Sequence, residues 1–307
     1  MLADAVIEGG GIKAIGLVGA IFEAEKRGYQ WNRLAGTSAG SMIAAMLAAG
    51  YTAFELKDEL MNLDYKKFIQ KKGIEIPFLG AAFNLIFKLG IHSGDYIEQW
   101  LSEKLRVKGV RAFGDLEKTL YIIASDITSG EMLVLPQDLT RYGVDPLTFD
   151  IARAVRMSSS LPFYFQPVKF KGLYNKKLDH YIVDGGLLSN FPVWIFDDDG
   201  SSKWPTFGFR LVSEKTGQPN KINGPISLGY SLISTMVEAH DTRHIKEKDY
   251  VRSILVPTLG VNTTDFDLNK EKRDELFESG VKAAKNFFDQ WNYIRYTFQY
   301  RQSKKTP

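Results

Sequence analysis

The chain reads as an α/β fold built on a mostly parallel sheet, and three observations predict it. A short apolar stretch, Ala5-Val6-Ile7, runs into the triplet Gly9-Gly10-Gly11 and then a helical segment. A second extended stretch, Trp31 to Ala35, ends in Gly36-Thr37-Ser38-Ala39-Gly40 and a second helical segment. Further apolar strands then recur among amphipathic helices to the end of the chain.

Taken in order, Ala5–Ile7 is a buried strand, and a helix spans about Ala14 to Arg27. That helix carries Ile15, Val18, Ile21 and Phe22 at helical spacing, with Gly28 as its C-cap. With Trp31–Ala35 this makes a β-α-β unit, so the two strands run parallel with a right-handed crossover. The glycine triplet and Ser38 therefore leave the same edge of the sheet, where open α/β sheets place ligands. Ser41 to Ala49 is helical and stops at Gly50. Thr52 to Lys72 reads as one amphipathic helix with Phe54, Leu56, Leu60, Leu63 and Phe68 among many charges. The segment 76–90 is the most apolar of the chain. It reads as a helix packed on the body, with a lid or membrane-facing cap as the functional alternative. A helix over Gly94–Lys104 takes Ser93 as its N-cap.

Leu120–Ser125 is a buried strand, and Asp126–Glu131 turns into a second one, Met132–Leu135. Asp150–Met157 is helical until Ser158-Ser159-Ser160-Leu161-Pro162 breaks it, since proline cannot continue the ladder. Tyr181-Ile182-Val183 is a strand ending in Asp184-Gly185-Gly186. Phe207–Val212 and Ser253–Val256 are strands, and Lys270–Trp291 is a long helix with Leu276, Val281, Ala284 and Phe288 on one side. Neither repeat nor linker interrupts the chain. The simplest account is one domain over 1–307, with core motifs at about 4–192, a helical insertion at about 52–112 and a closing helix at about 270–291.

Composition narrows the function classes. The 307 residues are 44% hydrophobic and 24% charged, with a net charge of +3. That balance and the lack of a basic block interleaved with aromatics argue against nucleic acid. With no cysteine, disulfides, thiolate metal sites and a cysteine nucleophile are excluded. The N-terminus lacks the basic start and cleavage site of a signal peptide. No apolar run reaches the roughly 20 residues of a membrane-spanning helix. A cytoplasmic location is the default expectation, with peripheral membrane contact or non-classical secretion as alternatives.

The chemistry centres on Ser38. Strand, sharp turn and helix is the context of a nucleophilic serine, and glycines at 36 and 40 allow the turn. A glycine-flanked turn with an ordinary serine is the alternative. A serine needs a base, and the chain offers four histidines. His92 reads as a surface loop residue. His180 shares a strand and a face with Asp184 but lies about 13 Å from it, too far for a local pair. His240 and His244 have the spacing of a two-histidine metal site, but the glutamate that follows the first histidine in zinc peptidases is missing, so a solvated helix face is expected. Asp184, at the end of an apolar strand, can act as base if it reaches Ser38 away from bulk water. A turn aspartate bonding its own backbone is the alternative. Gly9, Gly10 and Gly11, with the N–H of Ala39, offer an oxyanion site. The competing phosphate-loop reading fails twice: no acidic residue stands near Asn32–Leu34, and Gly-Lys-Ser/Thr is absent. Lys13 is either a contact for an anionic phosphate group or a solvated helix residue.

Four blocks together resemble the patatin-like phospholipases of bacteria. They are Glu8 to Gly16, the Gly36–Gly40 turn, Met157 to Pro162 continuing through Phe165-Gln166-Pro167-Val168, and Asp184-Gly185-Gly186 with Asn190 and Pro192. Phe266-Asp267-Leu268 and the helix after it are also similar to bacterial members. The resemblance implies a three-layer α/β/α fold and a Ser38–Asp184 dyad that needs neither histidine nor a metal cofactor. It also implies an oxyanion loop at Gly9–Gly11 and a lipid ester substrate met at a membrane surface. Gly36, Gly40, Pro162, Gly185, Gly186 and Asn190 support the motif. Lys13 stands where arginine is common and Ala14 where glycine is common. The expectation is a phospholipase A or lysophospholipase type of hydrolase. The alternative is a lipid-binding or regulatory module with little hydrolysis.

Overall fold

A computed structural model describes residues 1–69, 77–171, 178–197, 203–213, 222–224, 228–229, 231–232, 235 and 247–298. The chain opens as predicted, with β1 (Leu2–Ile7), α1 (Ala14–Lys26), β2 (Gln30–Thr37) and α2 (Ala39–Ala48). β1 and β2 pair in parallel. Along β1 the side chains alternate: Ala3, Ala5 and Ile7 join the main core, while Val6 faces a second cluster on the other side of the sheet.

The predicted 52–72 helix is shorter than expected. α3 spans Ala53–Asn62, started by a Thr52–Glu55 capping box, and Leu63 turns extended. The Asp64 carboxylate then accepts from the Lys66 N–H at 3.2 Å, a local bond that competes with the helix. The chain continues as a 3-10 turn over Tyr65–Ile69, and 70–76 lie outside the described residues. α4 (Pro77–Lys88) follows, then β3 (Gly90–His92) and α5 (Asp95–Val107). Gly94, at φ 72°, is the N-cap of α5. The Ser93 hydroxyl only accepts from the Asp95 N–H, at 3.3 Å.

β4 (Thr119–Asp126), β5 (Glu131–Leu135) and α6 (Ile151–Ser158) fall where predicted. The Asp150 carboxylate caps α6 through the N–H groups of Ala152 and Arg153. Three short strands were not foreseen: β3, β6 (Phe163–Phe165) and β7 (Val168–Lys171). β6 pairs with β3 in a separate two-stranded sheet. β8 (Asp179–Asp184), β9 (Thr206–Val212), α7 (Glu247–Tyr250), β10 (Ser253–Pro257) and α8 (Lys270–Gln290) complete the described elements used below.

The main sheet runs β10-β9-β1-β2-β4-β8-β7, with β5 also on β4. The first five strands are mutually parallel, while β5, β8 and β7 run antiparallel to their neighbours. Helices α1, α2, α3, α5, α6 and α8 bury their apolar sides in one continuous core. On the other face Phe191, Val193 and Phe196 cover Val6 and Ala35. α1 and α8 cross closely. A Cβ built on Gly280 would stand 1.8 Å from the Gly16 carbonyl oxygen, so this crossing accepts only glycine. Among the described residues no helix is long and apolar enough to cross a membrane.

Candidate active site

Ser38 sits between β2 and α2 with φ 53° and ψ −126°. A side chain rarely adopts positive φ, and the strain persists only where surroundings hold it. Gly36 and Gly40 meet across the turn, a built Cβ on Gly36 lying 2.4 Å from the Gly40 carbonyl oxygen. The Ser38 N–H donates to Ser158 Oγ at 2.8 Å, and that hydroxyl donates to the Ile123 carbonyl at 2.5 Å. The last residue of α6 thus braces the strained turn.

Backbone pairing brings Asp184 to Ser38. β5 occupies one edge of β4 over Ile122–Asp126. The other edge carries β2 as far as Thr37, opposite Ile123, and β8 from Asp184, opposite Ala124. The two strands meet end-on at adjacent positions of β4. There Ser38 Oγ donates to Asp184 Oδ2 at 2.7 Å, while Oδ1 accepts from the Gly186 N–H at 2.8 Å. Each carboxylate oxygen of Asp184 thus has its own donor, the Ser38 hydroxyl on one and the Gly186 backbone on the other. The Asp184 N–H donates to the Ser160 carbonyl at 3.0 Å. Gly185 packs against Ile123, where a Cβ would lie 2.2 Å from its carbonyl oxygen. Pro162 lies in the break after α6. The Asp184 side chain is buried, and burial pushes its carboxyl up to about 6 against the opposing hydrogen bonds from Ser38 and Gly186.

The two described histidines stand elsewhere. His180 Nδ1 lies 2.6 Å from Asp126 Oδ2, which also accepts from the Tyr142 hydroxyl at 2.8 Å. His92 is not a surface residue: only 8% exposed, its ring packs on Tyr164 at 4.9 Å. Neither ring lines the pocket that holds Ser38. His240 and His244 lie outside the described residues.

The glycine loop leaves β1 beside Ser38. A Cβ on Gly9 would come within 3.1 Å of Ser38 Cβ and 2.4 Å of Asn190 Oδ1. Asn190 clamps this loop: its carbonyl accepts from the Gly9 N–H at 3.3 Å, and its amide donates to Glu8 Oε1 and the Gly9 carbonyl. Gly11 has φ +57°, and a Cβ there would lie 2.1 Å from the Thr263 carbonyl oxygen. Lys13 ends the following 3-10 turn, half-buried. Among the described residues the N–H groups of Gly10, Gly11 and Ala39 meet no acceptor. They stand at helix starts, where free N–H groups and the dipole favour developing negative charge. The Gly9 N–H is already engaged.

Ser38 and Asp184 open onto a cleft that is partly open to solvent. Its walls are mainly apolar and include Met42, Leu60, Phe68, Ile97, Tyr164 and Phe266. Phe266 ties the walls together, with ring centroids 6.1 Å from Phe68 and 5.9 Å from Tyr164. The Ser159 hydroxyl, on the same wall, is buried and has no hydrogen-bond partner among the described residues. Arg156 is buried behind that wall and donates to Ser160 Oγ and to the carbonyls of Ser93 and Gln166.

The model of the family described as patatin-like phospholipase matches residues 5–197. The chain belongs to the patatin-like phospholipase family. Bacillus subtilis YqhO, an uncharacterized protein, is 41% identical over 95% of this chain and 100% of its own length. The probable lipid hydrolase 463L of Invertebrate iridescent virus 6 is 25% identical over 61% of each chain. Among solved structures, VipD from Legionella pneumophila superposes with a TM-score of 0.59 at 18% identity, covering 94% of this chain and 67% of that one, a likeness of fold.

Within this patatin-family fold the four sequence blocks converge on one sheet edge. Beside residues of those blocks, the cleft walls come from the start of α1, α2, α3, the Tyr65–Ile69 turn, α5, β6 and the Thr263–Phe266 loop. Sequence reading passed over them because apolar periodicity marks Met42, Leu60 and Ile97 as buried, without separating a cleft wall from solid core.

Proposed function

We propose that this protein is a serine acyl hydrolase that cleaves fatty-acyl esters of phospholipids or lysophospholipids, with Ser38 as nucleophile and Asp184 as base. One observation carries the reading: the 2.7 Å hydrogen bond from Ser38 Oγ to a buried carboxylate at the mouth of an apolar cleft. An acyl chain lies in the cleft among Met42, Ile97 and Phe266, and the ester carbonyl sits over Ser38. Ser38 Oγ forms a bond to the carbonyl carbon while its proton passes to Asp184 Oδ2. The N–H groups of Gly10, Gly11 and Ala39 take the negative charge that develops on the carbonyl oxygen. The carbon–oxygen ester bond breaks, and the leaving alcohol oxygen takes the proton from Asp184. Water then adds to the acyl-enzyme, giving its proton to Asp184. Collapse frees the fatty acid and returns a proton to Ser38 Oγ. A carboxyl lifted to about 6 by burial suits a base working near neutrality. Membership of a lipid-hydrolase family, with a relative named a probable lipid hydrolase, supports the substrate class.

The test is labelling by a fluorophosphonate together with turnover of defined phospholipids, lysophospholipids and short-chain esters. Wild type is expected to label at Ser38 and release fatty acid, and Ser38→Ala to do neither. Full turnover in Asp184→Asn, or lipid binding without turnover in wild type, would overturn the assignment.

A further inference from the structure

The segment expected to pack on the body does the reverse over its described side chains. In α4, Asn84 and Leu85 are half-buried, and the Asn84 amide donates to the Ile91 carbonyl at 3.4 Å, tying the helix to β3. Phe83, Ile86 and Phe87 share the opposite side at i, i+3, i+4 spacing and are 54%, 68% and 69% exposed. The two phenylalanine rings lie 4.6 Å apart, so they present one aromatic surface. Leu89 and Phe163 are also largely exposed, both at positive φ. Gly90 pairs with Phe163 across β3 and β6, so Phe163 stands beside the residue that follows Leu89 at the end of the helix. A contiguous, exposed apolar patch of this kind marks an interaction surface.

Its position and charge select the partner. Tyr164 and Phe165 of β6 line the cleft, while the neighbouring Phe163 is 45% exposed and lines no part of it. The preceding 3-10 turn divides in the same way, with Tyr65 and Phe68 lining the cleft and Lys66 and Lys67 exposed. Among the described residues of 65–89 the charged side chains are Lys66, Lys67 and Lys88, all exposed, with no acidic residue among them. Aromatic side chains with flanking lysines match a bilayer interface that bears negative charge.

We infer that α4 docks this protein on an anionic lipid surface, with Phe83, Ile86 and Phe87 entering the interface and Lys66, Lys67 and Lys88 meeting lipid phosphates. This rests on the proposed lipid substrate for its purpose, though docking is measurable without turnover. The experiment is flotation of the Ser38→Ala protein with vesicles of phosphatidylcholine mixed with phosphatidylserine, beside vesicles of phosphatidylcholine alone. Binding is expected with the mixed vesicles and falls at high salt. Phe83→Ser/Phe87→Ser is expected to weaken it by about tenfold or more. Ile86→Ser gives a smaller loss in the same direction. In the Ser38-containing protein the double substitution leaves the thermal midpoint and hydrolysis of a soluble short-chain ester unchanged. Vesicle binding equal to wild type in the double variant overturns the inference, as does a wild type that binds neither vesicle. So does a wild-type dimer that the substitutions dissociate without altering vesicle binding, which would assign the face to a second copy. Loss of short-chain hydrolysis on Ser38→Ala tests the nucleophile and leaves the docking result independent.

Discussion

Replacing Asp184 by asparagine is expected to stabilise the fold at neutral pH while removing the proposed base. The carboxyl is buried, and burial lifts it from 3.8 to about 6. Below the lower value the side chain is neutral both folded and unfolded, so its charge costs the fold nothing. Between the two values the unfolded chain ionises first, and the folded state loses stability relative to it. Above about 6 the full cost is carried. Each pKa unit corresponds to about 1.4 kcal/mol, so the cost approaches about 3 kcal/mol at pH 8 and is roughly half of that at pH 5. Asparagine has the same shape and no charge. Its amide oxygen can accept from Gly186, and its NH₂ can donate to Ser38 Oγ in place of the present bond.

For a chain of this length about 3 kcal/mol corresponds to roughly 5 °C in melting temperature. The assay is a pair of thermal melts, wild type and Asp184→Asn, from pH 5 to pH 8. The variant is expected to melt higher at pH 8 by roughly that amount, and the gap to shrink as pH falls. Measured activity on a soluble ester should be lost throughout. A variant that melts lower at pH 8, or a gap that does not change with pH, would refute the burial argument.

Wild-type kcat/KM on a soluble ester should rise tenfold per pH unit below about 6 and level off above it, because Asp184 must be ionised to accept a proton; a flat profile from pH 5 to 8 argues for another base. Gly11→Ala places a side chain at φ +57°, 2.1 Å from the Thr263 carbonyl oxygen, and should displace the loop. A fall in kcat of about a hundredfold is expected, the scale of a lost oxyanion donor, and unchanged kcat would remove Gly11 from that role. Gly280→Val drives a side chain into the α1–α8 crossing, where Gly16 carbonyl oxygen is 1.8 Å from the built Cβ. It should cost about 3 kcal/mol in urea unfolding, and an unchanged unfolding midpoint would refute the close crossing.

What sequence could disclose follows from how local each feature is. The Ser38 turn was legible because its strand, glycines and helix are contiguous. α1 and α8 were legible because their apolar spacing is sustained over several turns. β3 and β6 were not, since three residues are too few for an alternation to show. His92 looked like a loop residue for the same reason, its burial depending on β6 from a distant part of the chain. In α4 the spacing of Phe83, Ile86 and Phe87 was readable as a face. Periodicity gives a helix a face without saying whether protein or something else covers it.

The partnership of Ser38 and Asp184 shows the limit most clearly. Both residues were singled out, each at a strand end, but residue type and spacing do not say which strand ends coincide. The meeting is set by β4, which pairs its residues up to Ile123 with β2 and those from Ala124 onward with β8 on that same edge. A slip of β8 by one residue along β4 would move the carboxylate by about 3.4 Å and turn it to the opposite face of the sheet. The residues that hold this register are therefore part of the site's construction although they touch no substrate. They include Ser160, whose carbonyl accepts from the Asp184 N–H, and Arg156, whose guanidinium fixes Ser160. On this reasoning the Met157–Pro162 block is a brace on both sides of the proposed dyad: Ser158 holds the nucleophile's turn, and Ser160 holds the carboxylate's strand.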